Sequence, residues 1–211
     1  MKIIYEEGGL KEPVANKIIA EKLQLSPASV SEMLTKLQHN GLIDYVAYKG
    51  SILTEKGIEV CKGVLRSHRL WEVFLMRHLH YSWREAHEEA HLLEHVSTER
   101  MVERLDKFLN FPHDCPHGEP IPRNGVGMED HCLLVPISNL SVGETAKLSR
   151  IVEEGELLDY AERSGLKIGE NICILSRDEY EGPIHFSQEG HDITISYKAA
   201  TKIFVEQRPT F

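Results

Sequence analysis

Two side-chain patterns in the middle of the chain could do chemistry. In His68-Arg69-Leu70-Trp71-Glu72, an imidazole and a carboxylate stand one helical turn apart and share a face. Further on, His87, His91 and His95 repeat at every fourth position, with Glu94 beside them. Imidazole and carboxylate groups at this spacing can converge on one divalent cation. Cys115-Pro116-His117 then offers a thiolate and an imidazole on a loop stiffened by proline. Mixed nitrogen, oxygen and sulfur ligation suits a transition metal rather than Ca2+ or Mg2+. Any one of these pieces is ordinary by itself; a lone His/Glu pair is usually a surface hydrogen bond, and a lone Cys is usually a buried thiol. Together they predict metal binding in this segment.

One motif points elsewhere. His87-Glu88-Glu89-Ala90-His91 matches H-E-x-x-H, the helix of zinc hydrolases in which Glu88 would act as general base. A catalytic zinc keeps three protein ligands and one open position, and this segment supplies more donors than that. No glycine-bearing extension follows, since the chain continues His91-Leu92-Leu93-Glu94-His95, and the segment is short for a protease with a substrate cleft. A chain with no catalytic residues is therefore expected.

The elements that would position these groups can be read on either side of them. Residues 13–24 form a short amphipathic helix with Val14, Ile18, Ile19 and Leu23 on its apolar face. Ser26 is a good N-cap and Pro27 suits the first helical position of a second helix, whose Val30, Leu34 and Leu37 form one stripe and which Gly41 ends. Two short strands, 42–47 and 51–54, flank Lys49-Gly50 as a hairpin, and Thr54 caps a long helix beginning at Glu55. This order is that of a winged helix-turn-helix. Ser29, Ser31, Glu32, Thr35 and Lys36 face solvent on the second helix, small or hydroxylated for the most part, as close approach to a major groove requires. Ser26, Pro27, Ser29, Ser31, Lys36 and the wing residue Lys49 are the expected DNA contacts.

Charge bears on that reading. The 211 residues carry 24 basic and 33 acidic groups, a net of −9, which argues against nucleic acid when taken whole. Divided at residues 60 and 123, the three segments carry −1, −1 and −7. The DNA-facing third is nearly neutral, so weak non-specific binding is expected of a monomer and specific binding calls for a dimer. Eight of the 12 histidines lie in 61–123. Cys61, Cys115, Cys132 and Cys173 are scattered with no CxxC pair, which fits a reducing, cytoplasmic setting. No apolar run approaches the roughly 18 residues of a membrane span, and the first residues do not read as a secretory signal. Pro112, Pro116, Pro120 and Pro122 with Gly118, Gly125 and Gly127 mark a loop or linker around 111–128. Beyond it, short apolar runs separated by glycine and charged turns indicate a small β domain, with a helix over 157–163.

These stretches together resemble the diphtheria-toxin-repressor and manganese-transport-regulator family of metal-dependent transcriptional repressors. The likeness is carried by the helix-turn-helix at 13–40, the wing ending in Leu53-Thr54-Glu55-Lys56-Gly57, His68-Arg69-Leu70-x-Glu72, the run from His87 to His95, and Cys115-Pro116-His117-Gly118-x-Pro120-Ile121-Pro122. It covers nearly the whole chain. The resemblance implies an α+β protein with three domains: a winged helix-turn-helix over 1–60, an all-α metal-binding dimerization domain over 61–123, and, after a linker at 124–132, an SH3-like small β-barrel of FeoA type over 133–211. It implies a homodimer on double-stranded DNA, a palindromic operator, no membrane, and repression of metal-uptake genes. His91, Glu94 and His95 match the first metal site. Glu72, Cys115 and His117 match the second site of the manganese-type branch, while His68 and His87 match that site in the iron-type branch. An acidic ligand from the last domain is also implied, with Glu154 chosen over its neighbour Glu153. Mn2+ is the expected ion, Fe2+ the alternative, and Zn2+ an in vitro substitute. Family members carry several further N-terminal residues, including an Asp or Met that joins the first site; Met1 falls just past that position, so the first site is expected to be incomplete unless another group replaces it. The role of the last domain is left open between ligand donor, dimer stabiliser and partner-binding module.

Overall fold

The computed structural model describes residues 1–123 and 134–206. The expected linker at 124–132, with Gly125, Gly127 and Cys132, lies outside the described residues, as do Leu133 and the last five positions. The chain divides into two compact units, Met1–Leu65 and Arg66–Phe211. Among the described residues no helix is long and apolar enough to cross a membrane.

The first unit opens with a short helix, α1 (Lys2–Glu6), ahead of the helices expected from the sequence. Then come α2 (Asn16–Leu23), α3 (Pro27–His39), and the hairpin β1 (Ile43–Val46) and β2 (Gly50–Leu53). Gln24 ends α2 in the left-handed conformation. Ser26 caps α3, its hydroxyl accepting from the Ser29 amide at 3.1 Å, and Pro27 supplies the pre-set φ of the first turn. Val30 and Leu34 are buried as the stripe requires, with Leu37 partly so. The apolar face expected of α2 is narrower: Ile19 and Ala20 are buried, whereas Ile18 and Leu23 are exposed. Gly50 lets the wing close against the start of α2, for a Cβ there would lie 2.0 Å from the Val14 carbonyl oxygen.

The helix α4 runs without a break from Glu55 to Leu79, its first turn capped by Thr54, whose hydroxyl accepts from the Gly57 amide at 3.0 Å. The boundary expected at 60/61 falls inside this helix. The second unit adds α5 (Trp83–Val96) and α6 (Glu99–Phe108). A reciprocal capping box between Ser82 and Glu85 sets the start of α5, and Thr98 caps α6. Leu70, Val73, Val102, Leu105 and Leu109 form the core between α4 and α6. Asp106, buried on α6, pairs with Arg66 (2.9 Å) and Arg123 (2.8 Å) and so ties the proline-rich loop back to the helices.

The remainder is a six-stranded antiparallel sheet in the order β3-β8-β4-β5-β6-β7. Its strands are β3 (Leu134–Pro136), β4 (Thr145–Ile151), β5 (Asn171–Arg177), β6 (Ile184–Gln188), β7 (His191–Ile195) and β8 (Ile203–Glu206). The helix α7 (Gly155–Arg163) joins β4 to β5, and the single turn α8 (Tyr197–Ala200) precedes β8. Alternate residues such as Leu148, Ile174, Phe186, Ile195 and Val205 fill one core together with Leu158 and Ala161 of α7. The architecture is the α+β arrangement expected from the sequence.

Candidate metal centre

α4 contributes His68 and Glu72 side by side on a fully buried face. Glu72 Oε1 lies 3.0 Å from His68 Nε2, 3.0 Å from His87 Nδ1 and 3.2 Å from His117 Nδ1. Three imidazoles from three elements thus surround one carboxylate oxygen. A bare buried carboxylate is expensive, and burial alone would push Glu72 up; the hydrogen bonds and charge of His117, followed by His68 and His87, outweigh this and hold it well below the usual range. His117 is lowered by burial and raised more strongly by Glu72 and Glu153.

The Cys-x-His loop is shaped by its own backbone. The Cys115 amide donates to Glu119 at 2.8 Å, Gly118 to Cys115 at 3.0 Å, and Ile121 to His113 at 2.8 Å. Both Cys115 and His117 are buried, and Trp83 meets the His117 ring edge-on at 5.7 Å. The Arg69 guanidinium holds the loop from below, donating to the Pro120 carbonyl (2.6 Å) and to Glu119 (3.2 Å). Gly118 presses on β4 with φ +85°, and the Ile151 amide donates to the His117 carbonyl at 3.0 Å. These contacts set the loop against the end of β4, where Glu153 follows. Burial first, then the charges of Glu72 and Glu153, push the Cys115 thiol well above its ordinary range.

Glu153, not Glu154, reaches this cluster. Its Oε1 lies 3.9 Å from Cys115 Sγ and its Oε2 3.8 Å from His87 Nδ1. Glu154 turns away and pairs with Lys202. The preference for Glu154 is therefore corrected. The reason is local: past the end of β4 the Glu154 amide turns back to the Val152 carbonyl at 2.8 Å, and Glu154 becomes the N-cap of α7, so the two neighbours leave the chain in different directions.

Glu94 is the centre of a second group. Its Oε1 lies 3.1 Å from His91 Nδ1 and 3.2 Å from His95 Nε2, and its Oε2 lies 2.8 Å from His68 Nδ1. The side chains of His91 and His95 are 60% and 62% exposed, whereas Glu94 is buried. His68, His91 and Glu94 offer donor atoms within 4.8 Å of one another; His95 stands outside that set. Two four-residue sets meet the same distance, His68/Glu72/His87/Glu153 and Glu72/Cys115/His117/Glu153.

These residues fit a divalent transition metal. Glu72 Oε2 and His117 Nε2 are buried with no hydrogen-bond partner among the described residues, an arrangement that an ion would satisfy. The donors are deprotonatable or neutral nitrogen, oxygen and sulfur groups. Glu88, by contrast, is exposed and pairs with Arg84 at 2.7 Å, whose other partner is Asp159 at 2.9 Å. The group that a zinc hydrolase would use as base is thus committed to a surface ion-pair network.

The expected DNA contacts are each solvent-exposed in the first unit. Ser31 donates to the Pro27 carbonyl at 2.9 Å and Lys36 pairs with Glu32 at 2.7 Å, both on α3. Lys49 is exposed at the tip of the wing, beside Tyr48, which is 103% exposed. Tyr48 was not singled out from the sequence; an aromatic next to a Lys-Gly turn is the signal that could have marked it.

Comparison with known proteins agrees with this combination of winged helix and metal centre. Residues 1–51 match the N-terminal DNA binding domain of iron dependent repressors, residues 54–123 their metal binding and dimerisation domain, and residues 135–207 the FeoA domain. The chain belongs to this family, which is one of transcriptional repressors and not of enzymes. It is similar to the manganese regulator SloR, with 38% identity and a TM-score of 0.78 over 98% of this chain and 96% of that one. A manganese-dependent transcriptional repressor in complex with manganese gives 30% identity and a TM-score of 0.84 over 98% and 96%. The iron-dependent repressor IdeR of Mycobacterium tuberculosis is 38% identical over 131 residues, 59% of this chain. That match spans only 57% of the length of the curated relative.

Proposed function

We propose that this protein is a metal-responsive DNA-binding repressor, acting as a homodimer on a palindromic operator in the cytoplasm and controlling metal-uptake genes. Mn2+ is the preferred ion and Fe2+ the second choice; Zn2+ is an in vitro substitute. The observation that carries the reading is the buried Glu72 carboxylate, ringed by His68, His87 and His117 and faced by Cys115 and Glu153, in a chain that also bears a winged helix. The relatives described as manganese regulators, and a ligand set that mixes carboxylates and imidazoles with a single thiol, favour Mn2+. IdeR is described as iron-dependent, which keeps Fe2+ as the alternative.

His68 and Glu72 on α4, His87 on α5, Cys115 and His117 on the loop and Glu153 after β4 would hold the ion, with His91, Glu94 and His95 forming a second group. A bound cation supplies the positive charge that lets these elements stay together despite their crowded carboxylates. Holding the dimer in a DNA-competent spacing, these residues would make metal binding and DNA binding favour each other by one coupling free energy, typically about 1–3 kcal/mol. Ser26, Pro27, Ser29, Ser31, Lys36 and Lys49 are the residues placed to meet DNA. The test is a gel shift on promoter DNA upstream of metal transporters, with and without Mn2+. A shift that needs Mn2+ and is lost in Glu72→Ala and Cys115→Ala supports the reading; a metal-independent shift, or none at any metal concentration, overturns it.

A further inference from the structure

The donors around Glu72 are too many, and too widely spread, for one ion. Six side chains converge there: His68, Glu72, His87, Cys115, His117 and Glu153. They do not form one compact set. They form two sets of four, which share only Glu72 and Glu153. One set is completed by the imidazoles of His68 and His87, the other by the thiol of Cys115 and the imidazole of His117.

The shared carboxylates face both ways. Glu153 Oε2 lies 4.0 Å from His68 Nε2 and 3.8 Å from His87 Nδ1. Glu153 Oε1 lies 3.9 Å from Cys115 Sγ and 3.9 Å from His117 Nδ1. Each oxygen of this carboxylate thus addresses a different set. Glu72 stands within hydrogen-bond distance of the nitrogens of both sets through Oε1, while its buried Oε2 has no hydrogen-bond partner among the described residues. Carboxylates so placed are bridging ligands in two-metal sites, where the ions stand about 3.5–4 Å apart.

We infer that this pocket holds a pair of divalent metal ions bridged by Glu72 and Glu153, with His68 and His87 on one ion and Cys115 and His117 on the other. The inference rests on the metal-binding reading of the same site but goes beyond it, because that reading requires only one ion here. The two half-sites differ in softness: the Cys115 half favours thiophilic ions, the His68 half does not. Mixed occupancy by two different metals follows from that asymmetry.

The test uses the full chain and Mn2+ as the probe. In the double variant His91→Ala/His95→Ala, which weakens the group around Glu94, two Mn2+ per protomer are expected by elemental analysis after equilibrium dialysis. Their electron paramagnetic resonance spectrum should be that of an exchange-coupled pair. Glu153→Gln in the same background keeps one ligating oxygen but cannot bridge, so the count should fall from two to one and the spectrum revert to that of isolated Mn2+. Crystals of the unmutated protein with Mn2+ give a readout that does not depend on how the variants fold: two anomalous peaks between Glu72 and Glu153 support the pair. One peak there, or one uncoupled ion per protomer, overturns it. The gel shift separates the two failures: a Mn2+-dependent shift with a single ion leaves the repressor reading standing, while loss of metal dependence overturns both.

Discussion

His68 Nδ1 lies 2.8 Å from Glu94 Oε2, while the opposite nitrogen of the same ring faces Glu72. One imidazole therefore joins the inner cluster to the group around His91. A neutral ring has a single proton, so Nε2 can serve as a ligand only when that proton sits on Nδ1, the nitrogen beside Glu94. Glu94 then holds its Oε1 toward His91 and His95. His68→Ala is expected to weaken Mn2+ binding at both groups, by roughly 10–100-fold at the one where it acts indirectly. His87→Ala should affect the inner cluster alone. Calorimetric titration of the two variants checks this, and an unchanged affinity at the Glu94 group in His68→Ala would sink the idea.

Metal binding should release a proton from Cys115. Its thiol is pushed up by burial first and then by Glu72 and Glu153, against the pull of Arg69, so it is protonated at neutral pH when no ion is present. Ligation requires the thiolate. Affinity at this half of the site should therefore rise with pH, by roughly tenfold per unit for one proton released. Mn2+ titrations in two buffers of different ionisation enthalpy measure the release directly. The same proton count in Cys115→Ala would refute the assignment.

Asp106 links stability to acid. Burial raises its carboxyl, but the hydrogen bonds of Arg123 and Arg66 outweigh that and depress it. A group depressed in the folded state stabilises above its unfolded value of about 3.9, and that stabilisation is lost as pH falls through the folded value. Asp106→Asn is expected to lose about 1–3 kcal/mol at neutral pH. Denaturant melts should show the gap from the unmutated protein narrowing toward about pH 3. A gap that is constant with pH would mean that the ion pairs are not its source.

Gly118 holds the Cys-x-His loop against β4. A Cβ there would lie 1.7 Å from the Ser149 carbonyl oxygen, at a φ of +85° that side chains avoid. Backbone has to move for Gly118→Ala to fold. The variant should lose about 2 kcal/mol or more and bind metal poorly at Cys115 and His117 while keeping the Glu94 group. Thermal melts together with metal counts decide it; a stable variant with full metal content would show that the loop has slack.

Most of the site could be read from spacing. The His68/Glu72 pair needs only helical periodicity, and the Cys115/His117 pair needs only a loop that the prolines announce. The histidine repeat was less reliable. Four residues turn a helix about 40° past one full revolution, so the stripe drifts around α5. His87 consequently faces Glu72, while His91 and His95 are largely in solvent. The choice between Glu153 and Glu154 was out of reach, because it depends on the tight turn between β4 and α7, which carries no sequence periodicity. In the first unit, Ile18 and Leu23 obey the amphipathic pattern and are nonetheless exposed, because α2 packs through Ile19 and Ala20. The pattern gives the apolar stripe but not how far its partners extend around the helix.

Glu153 belongs to the segment that matches the FeoA domain, whereas His68, Glu72, His87, Cys115 and His117 belong to the segment that matches the metal-binding domain. With the proposed ligand set, ion preference would be written across two modules, and neither would carry it whole. A chimera that borrows the FeoA module of a relative would inherit a site with a foreign sixth member, whatever residues its helices retain. Exchange of modules between relatives is therefore constrained at one carboxylate, and shortening the chain after residue 123 would remove that group along with the domain.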